Sequence, residues 1–392
     1  MTNQHYISQL QQLKLENRFR TIPSFSQSDS MLNLSSNDYL GLAQNTDLQT
    51  EFLSQLPQHE HLFSSSSARL LTGNFEAHTA LETTLARLYQ KSALTFNSGY
   101  HANIGILPAI ADKKTLILAD KLVHASLIDG IRLSQATAIR YRHNDYEQLE
   151  TLVEQHANKC ERIIIVTESI FSMDGDEADL PRLLALKKRY SRVMLYLDEA
   201  HAVGVCGKSG LGCAEEHDCL ADVDFIVGTF GKALASVGAY VICNEVFRDF
   251  LVNTARPFIF STALPPVNAL WTTFILERLA NFDEQRKALK LRSEQFRNAL
   301  KNSGKSDIST SHIVPFIVGE SADAVRLSEM LQKNGFYVLP VRPPTVPKGT
   351  ARLRFSLTSQ ICESEIEQIV TALVETGRAP SLHNNHLTSN EN

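Results

Sequence analysis

Long apolar runs are missing from this chain. None approaches the ~18 residues that a membrane-spanning helix needs, and residues 1–12 are polar where a secretory leader would be apolar. Neither leader nor span is therefore expected, and a cytoplasmic location is. An excess of either charge is also missing: 38 Lys and Arg against 43 Asp and Glu leave a net charge of -5, with no basic field for nucleic acid or an anionic membrane. The six cysteines, Cys160, Cys206, Cys213, Cys219, Cys243 and Cys362, include no Cys-x-x-Cys pair and read as reduced thiols. Cys206, Cys213, His217 and Cys219 crowd one stretch, but their spacings fit no common zinc pattern, so no metal is expected. What is present is 392 residues, 43% hydrophobic and 21% charged, enough for a sizeable core and two or three domains.

Taken in order, residues 3–19 place Tyr6, Leu10 and Leu13 among polar neighbours and predict an amphipathic helix too polar to be a domain. Residues 32–42 read as a short strand running into a turn, and 64–67 as a serine loop. Asn74 is placed to cap a helix through Leu81, Leu85 and Leu88. Apolar runs at 93–96, 115–119, 163–167, 193–197, 225–227 and 239–242 then alternate with helical patterns such as 100–110, 146–155 and 180–190. This alternation predicts an α/β fold with a mostly parallel sheet covered on both faces, its functional groups at the carboxyl ends of the strands. A helical stretch from Pro265-Pro266 to about Leu300 leads to a smaller α+β lobe, with strands at 313–318, 336–339 and 351–357 and helices at 324–333 and 363–375. The expected division is an arm at 1–45, a large domain at 46–282, a small domain at 283–379 and a loose tail at 380–392.

One stretch organises the chemistry. An apolar run stops at Gly228, and Lys232 follows among Thr229, Gly231 and Ala233 with no other charge nearby. Such a lysine loses its proton more readily than a surface lysine, and a neutral amine is what a Schiff base to an aldehyde cofactor requires. Taken alone, the same residue also reads as a strand-end lysine pointing to water. Asp198 and His201 close another apolar run and would open on the same sheet edge. Pyridoxal phosphate asks for a carboxylate against its ring nitrogen, which suits Asp198, while His201 is placed for the phenolic oxygen. Asp198-Glu199-Ala200-His201 followed by Gly207-Lys208-Ser209 also raises a nucleotide hydrolase, but the glycine that a phosphate loop needs is Ala202 here. Asn97-Ser98-Gly99-Tyr100 follows a strand and opens a helix, so its N–H groups can face a phosphate. His124 is a candidate to stack on the ring, and Ser172 offers a hydroxyl at another strand end.

The segments Ser36-Asn37-Asp38-Tyr39-Leu40-Gly41-Leu42, Ser98-Gly99-Tyr100, His124-Ala125-Ser126-Leu127, Phe171-Ser172-Met173-Asp174-Gly175-Asp176, Asp198-Glu199-Ala200-His201 and Thr229-Phe230-Gly231-Lys232 occur in an order and spacing that resembles the α-oxoamine synthases. These are pyridoxal-phosphate enzymes of the aspartate-aminotransferase fold, fold type I, and the resemblance runs from about Arg18 to Glu375. It implies that Lys232 carries the cofactor and serves as base, that Gly99, Tyr100 and Thr229 hold its phosphate, and that Ser172 and His201 meet the phenolic oxygen. Asp198 is implied at the ring nitrogen and His124 at the ring face, close to both catalysis and substrate. Arg354 is implied at the amino-acid carboxylate, with Arg18, Asn37 and Thr345 along the acyl substrate. The segment 342–354 resembles members that join L-alanine to a pimeloyl thioester, carried on coenzyme A or on acyl carrier protein, with loss of carbon dioxide. A sibling that joins glycine or serine to an acyl-CoA is the alternative. Relatives are homodimers, so a homodimer is implied. Where the family has a glycine-rich run before Arg-Leu, this chain has Ser64 to Ser67 and then Ala68.

Overall fold

The computed structural model describes residues 2–23, 31–56, 62–304 and 308–378. The tail expected at 380–392 lies outside the described residues. Strand β1 (Leu32–Asn33) comes first in the chain. Strands β2 (Ser92–Phe96), β3 (Thr115–Asp120), β4 (Thr137–Tyr141), β5 (Arg162–Glu168), β6 (Val193–Asp198), β7 (Phe225–Thr229) and β8 (Ala239–Cys243) form a seven-stranded sheet in the order β2-β8-β7-β6-β5-β3-β4. All neighbours run parallel except β8, which is antiparallel to both β7 and β2. Ile163, Ile164, Ile165 and Val166 of β5 are all 0% exposed, so this strand is covered on both faces and reads as an unbroken apolar run. Each such side chain stabilises the fold by about 1.5–3 kcal/mol.

Four parallel strands end on a polar residue, Asp120, Glu168, Asp198 and Thr229, and so place those groups along one edge. Behind that edge, Gly130 permits a close approach of two helices, Gly99–Ile110 and Ala125–Leu133. A Cβ at Gly130 would lie 2.4 Å from the Asn103 carbonyl oxygen.

Several expectations from the sequence need correction. β4 matches no predicted run, because Thr137, Ala138 and Arg140 are exposed; it is a strand through its pairing with β3, Leu116 opposite Thr137 to Asp120 opposite Tyr141. The helix Glu76–Tyr89 is capped at Phe75, whose N–H donates to His78 Nδ1 at 3.1 Å, while the Asn74 side chain accepts from Arg69. The stretch after Pro265 is three pieces, Pro266–Glu277, a 3-10 turn Leu279–Phe282 and Asp283–Asn302. The expected N-terminal helix is present at Thr2–Leu15, but with Tyr6 61% and Leu10 48% exposed its apolar stripe covers no core. No described helix is long and apolar enough to cross a membrane.

The smaller unit holds β9 (Ile313–Gly319), β10 (Phe336–Tyr337), β11 (Pro340–Val341) and β12 (Ala351–Ser356). β11, β12 and β9 form an antiparallel sheet, and β10 pairs in parallel with β1. Of the strand predicted at 336–339 only Phe336–Tyr337 forms; β11 begins beyond it, at Pro340, and belongs to a different sheet. The Ser356 N–H donates to the Leu34 carbonyl at 2.8 Å, which draws residues 34–39 against β12 and toward the edge of the large sheet.

Candidate functional site

The turn after β7 is closed by its own backbone. Phe230 N–H donates to Gly238 O and Ser236 N–H to Phe230 O, each at 2.9 Å. This turn aims the Lys232 amine inward, 2.7 Å from His201 Nε2. Burial lowers the lysine's pKa; Asp198 and Glu168 pull it upward, and Arg354 adds to the fall. His201 is held well below the usual histidine range by burial, then by Lys232 and Arg354, so its imidazole is neutral. Its Nδ1 lies 2.7 Å from the Tyr39 hydroxyl, and Tyr39 donates to Asn37 Oδ1 at 3.0 Å. One proton assignment satisfies the whole chain: Lys232 donates to Nε2, Nδ1–H donates to Tyr39, and Tyr39 donates to Asn37. Burial raises the Tyr39 pKa and keeps the phenol protonated for that donation.

Asp198 is fixed on both oxygens. Asn103 Nδ2 donates to Oδ2 and the Ala200 N–H to Oδ1, each at 2.9 Å. Asn103 is itself oriented by the Tyr196 hydroxyl at 2.8 Å and donates to Ser126 Oγ at 2.9 Å, a contact that depends on the close helix approach at Gly130. Glu168 stands opposite Asp198 in the β5–β6 register. Burial first, and then the Asp198 charge, push the Glu168 pKa up, because two adjacent buried carboxyls do not both ionise. Glu168 accepts the His124 N–H at 2.5 Å, and His124 Nδ1 lies 2.8 Å from Ser126 Oγ. His124 is thus linked to Asp198 through Ser126 and Asn103, with its side chain open to solvent.

At this same end of β7, Thr229 lies against the N-terminus of the helix Gly99–Ile110, where a Cβ on Gly99 would be 3.9 Å from Thr229 Cβ. Ser98 caps that helix, accepting from the His101 N–H at 3.2 Å, and Tyr100 donates its hydroxyl to Asp129. A helix N-terminus with an adjacent hydroxyl is suited to a phosphate. Together with a desolvated amine and a carboxylate fixed by two donors, this donor set fits pyridoxal phosphate.

The two arginines of β12 separate clearly. Arg352 forms an ion pair with Asp174. Arg354 donates to the Ser172 carbonyl, to Asn37 Oδ1 at 3.2 Å and to the Tyr39 hydroxyl at 3.4 Å, so it belongs to the Lys232 network. Arg18 and Thr345 meet elsewhere: Arg18 Nε donates to the Pro343 carbonyl at 3.3 Å and Thr345 accepts from Arg20 at 2.8 Å. Thr345 lines a groove of about 490 Å³ that includes Met173, the neighbour of Ser172. Sequence reasoning missed Tyr39, Asn103, Ser126 and Glu168 as site residues. Glu168 had a signal, an acid closing an apolar run as Asp198 does; Asn103 sits inside a helical pattern and had none.

The family model for class I and II aminotransferases matches residues 29–373. An 8-amino-7-oxononanoate synthase of Haemophilus ducreyi is 56% identical over 356 residues, covering 89% of this chain and 92% of that one. A solved 8-amino-7-oxononanoate synthase from Francisella tularensis aligns with a TM-score of 0.77 at 29% identity, over 89% of this chain and 98% of that one. A serine palmitoyltransferase from S. paucimobilis with bound PLP aligns with a TM-score of 0.87 at 27% identity, over 96% of this chain and 98% of that one.

Proposed function

The chain belongs to the class I and II aminotransferases and, within them, to the 8-amino-7-oxononanoate synthases, and from that premise we propose how its residues run the reaction. It is a pyridoxal-phosphate-dependent acyltransferase of biotin biosynthesis, condensing L-alanine with a pimeloyl thioester to give 8-amino-7-oxononanoate, carbon dioxide and the free carrier.

When bound, pyridoxal phosphate supplies a protonated ring conjugated to the alanine Cα, able to take up the electron pair left when a bond to that carbon breaks. Lys232 holds the cofactor, with Gly99, Tyr100 and Thr229 on its phosphate and Ser172 and His201 on the phenolic oxygen side. Asp198 faces the ring nitrogen and keeps it protonated; Asn103 and the Ala200 N–H hold the carboxylate in place for that role. His124 covers the ring face. Arg354 would grip the alanine carboxylate by a two-point contact and so fix how Cα is presented to Lys232. The Lys232 amine, whose pKa burial brings down to about 8, gives up its proton more readily than a surface lysine and would take the Cα proton as general base, with neutral His201 beside it to steady the nitrogen. Arg18, Asn37 and Thr345 lie along the acyl substrate. The enzyme works as a homodimer in the cytoplasm, with domains at 46–282 and 283–379, and takes its acyl group from coenzyme A or acyl carrier protein.

The observation that carries the choice of substrates is the 56% identity across 89% of the chain. The serine palmitoyltransferase superposes better, but at 27% identity it supports only the wider chemistry. A mass-spectrometric assay offering L-alanine, glycine and L-serine, each with pimeloyl-CoA and with pimeloyl-acyl carrier protein, tests the reading. The 8-amino-7-oxononanoate mass from alanine is expected; a dominant product from glycine or serine would replace this reading with that of a sibling synthase.

A further inference from the structure

The segment after His201 folds back on itself. Gly204 N–H donates to Gly210 O at 2.8 Å and Gly212 N–H to Cys206 O at 3.1 Å, which sets Cys206 beside Cys213, the first residue of the short helix Cys213–Glu216. Gly212, at φ 112°, has no room for a side chain: a Cβ there would lie 2.8 Å from the Glu199 carboxyl carbon.

Two of the three carboxylates at this loop are engaged by backbone. Glu215 accepts the Ser209 and Leu211 N–H groups, and Glu199 accepts those of Cys213 and Ala214 together with the Ser169 hydroxyl. The Glu216 side chain has no hydrogen bond or ion pair among the described residues, and one helical turn puts it on the Cys213 side. Cys206 Sγ, Cys213 Sγ and a Glu216 carboxylate oxygen all lie within 4.8 Å of one another. A tetrahedral zinc ion with Zn–S bonds of about 2.3 Å sets its sulfurs about 3.8 Å apart, so side-chain rotation suffices to close the three groups on one ion. A cavity of about 500 Å³ lined by Cys206, Glu216 and Glu177 leads to them from solvent. His312 lines the same cavity; it is 3% exposed, and its Nε2 has no hydrogen-bond partner among the described residues.

We propose that Cys206, Cys213 and Glu216 form a site for one thiophilic divalent cation of the zinc type, with water in the fourth position. On binding, two S–H bonds give way to two metal–sulfur bonds and two protons pass to solvent, while the carboxylate adds without proton loss. The ion joins the loop to the helix whose first N–H groups hold Glu199, the neighbour of Asp198, and so braces the strand end that carries the ring-nitrogen carboxylate. In the sequence His217 and Cys219 stand near the two cysteines with spacings that fit no common zinc pattern; the fold brings Glu216 to the sulfurs instead.

Reduced, cofactor-loaded protein, freed of metal by chelator and titrated with Co²⁺, should develop a thiolate-to-cobalt band saturating at one ion per chain and displaced by Zn²⁺. The double variant Cys206→Ser with Cys213→Ser should lose the band while keeping its cofactor absorbance, which shows that it is folded. Glu216→Gln should weaken Co²⁺ by at least about tenfold, the lower bound for losing even an outer partner of a metal site. Cys219→Ser should bind as wild type does. A missing band, or one that survives in the double variant, overturns the proposal.

Discussion

Two histidines stand near the same edge of the large sheet and have opposite charge states. His143, just after β4, faces carboxylates with both ring nitrogens, Asp120 Oδ1 at 2.9 Å and Asp176 Oδ2 at 2.6 Å. Burial disfavours its charge, but the two hydrogen-bonded acids outweigh that and raise its pKa to about 10. His201 faces an amine and a phenol, has no carboxylate partner among the described residues, and stays neutral. The result is an ion-paired brace at the half-buried His143 and a proton-handling contact at the buried His201. Depth of burial and the sign of the partner's charge together decide which.

If this contrast is right, substitutions around His201 change turnover and those around His143 change stability. The largest effect is expected at Lys232. Lys232→Ala should abolish product formation without lowering Tm, and borohydride reduction of the wild-type holoenzyme should fix the cofactor on the Lys232 peptide; label on another lysine would dissolve the centre as described. Next comes Asp198→Asn, which cannot hold the ring nitrogen protonated. Turnover should fall by several orders of magnitude, each factor of ten corresponding to about 1.36 kcal/mol, and near-normal rates would remove Asp198 from the mechanism.

Arg354→Ala follows. Losing a charged contact to a partly desolvated carboxylate costs on the order of 2–5 kcal/mol, so the alanine requirement should rise roughly 30-fold or more. Arg352, bound to Asp174, sharpens the test: Arg352→Ala should lower Tm and leave the alanine KM nearly unchanged. The reverse order in alanine titrations would move the carboxylate site to Arg352.

The smallest effect on turnover is expected at His143. His143→Ala should leave kcat intact and cost about 3 kcal/mol of stability near neutral pH, the scale of breaking a buried ion pair. The folded pKa is raised above the unfolded value, so the contribution is complete below about 6.5 and fades as pH rises through about 10. Urea midpoints of wild type and variant should therefore converge toward alkaline pH; a constant gap would show that the pair is not charged as described. His201, with its pKa depressed, should behave oppositely, favouring unfolding as pH drops below about 6.5.

The local pattern by itself determined the alternation of apolar runs with helices, hence the parallel sheet, and placed Lys232, Asp198, Ser172 and Thr229 at strand ends. Those placements need only the fact that strands buried on both faces must be apolar until they stop. β4 escaped notice because an exposed edge strand owes its existence to pairing. The break at Leu279–Phe282 escaped because helical spacing runs on through a tighter turn. The site shows the same division. Spacing left Arg352 and Arg354 equivalent on one strand face, and only packing gave Asp174 to one and Asn37 with Tyr39 to the other. Asn103 and Glu168 reach Asp198 through a helix contact at Gly130 and a strand register, relations between segments far apart in the chain. Local sequence determines what each segment can be. Which charges meet inside the fold, and therefore which groups stay neutral, is decided only when distant segments exclude water together.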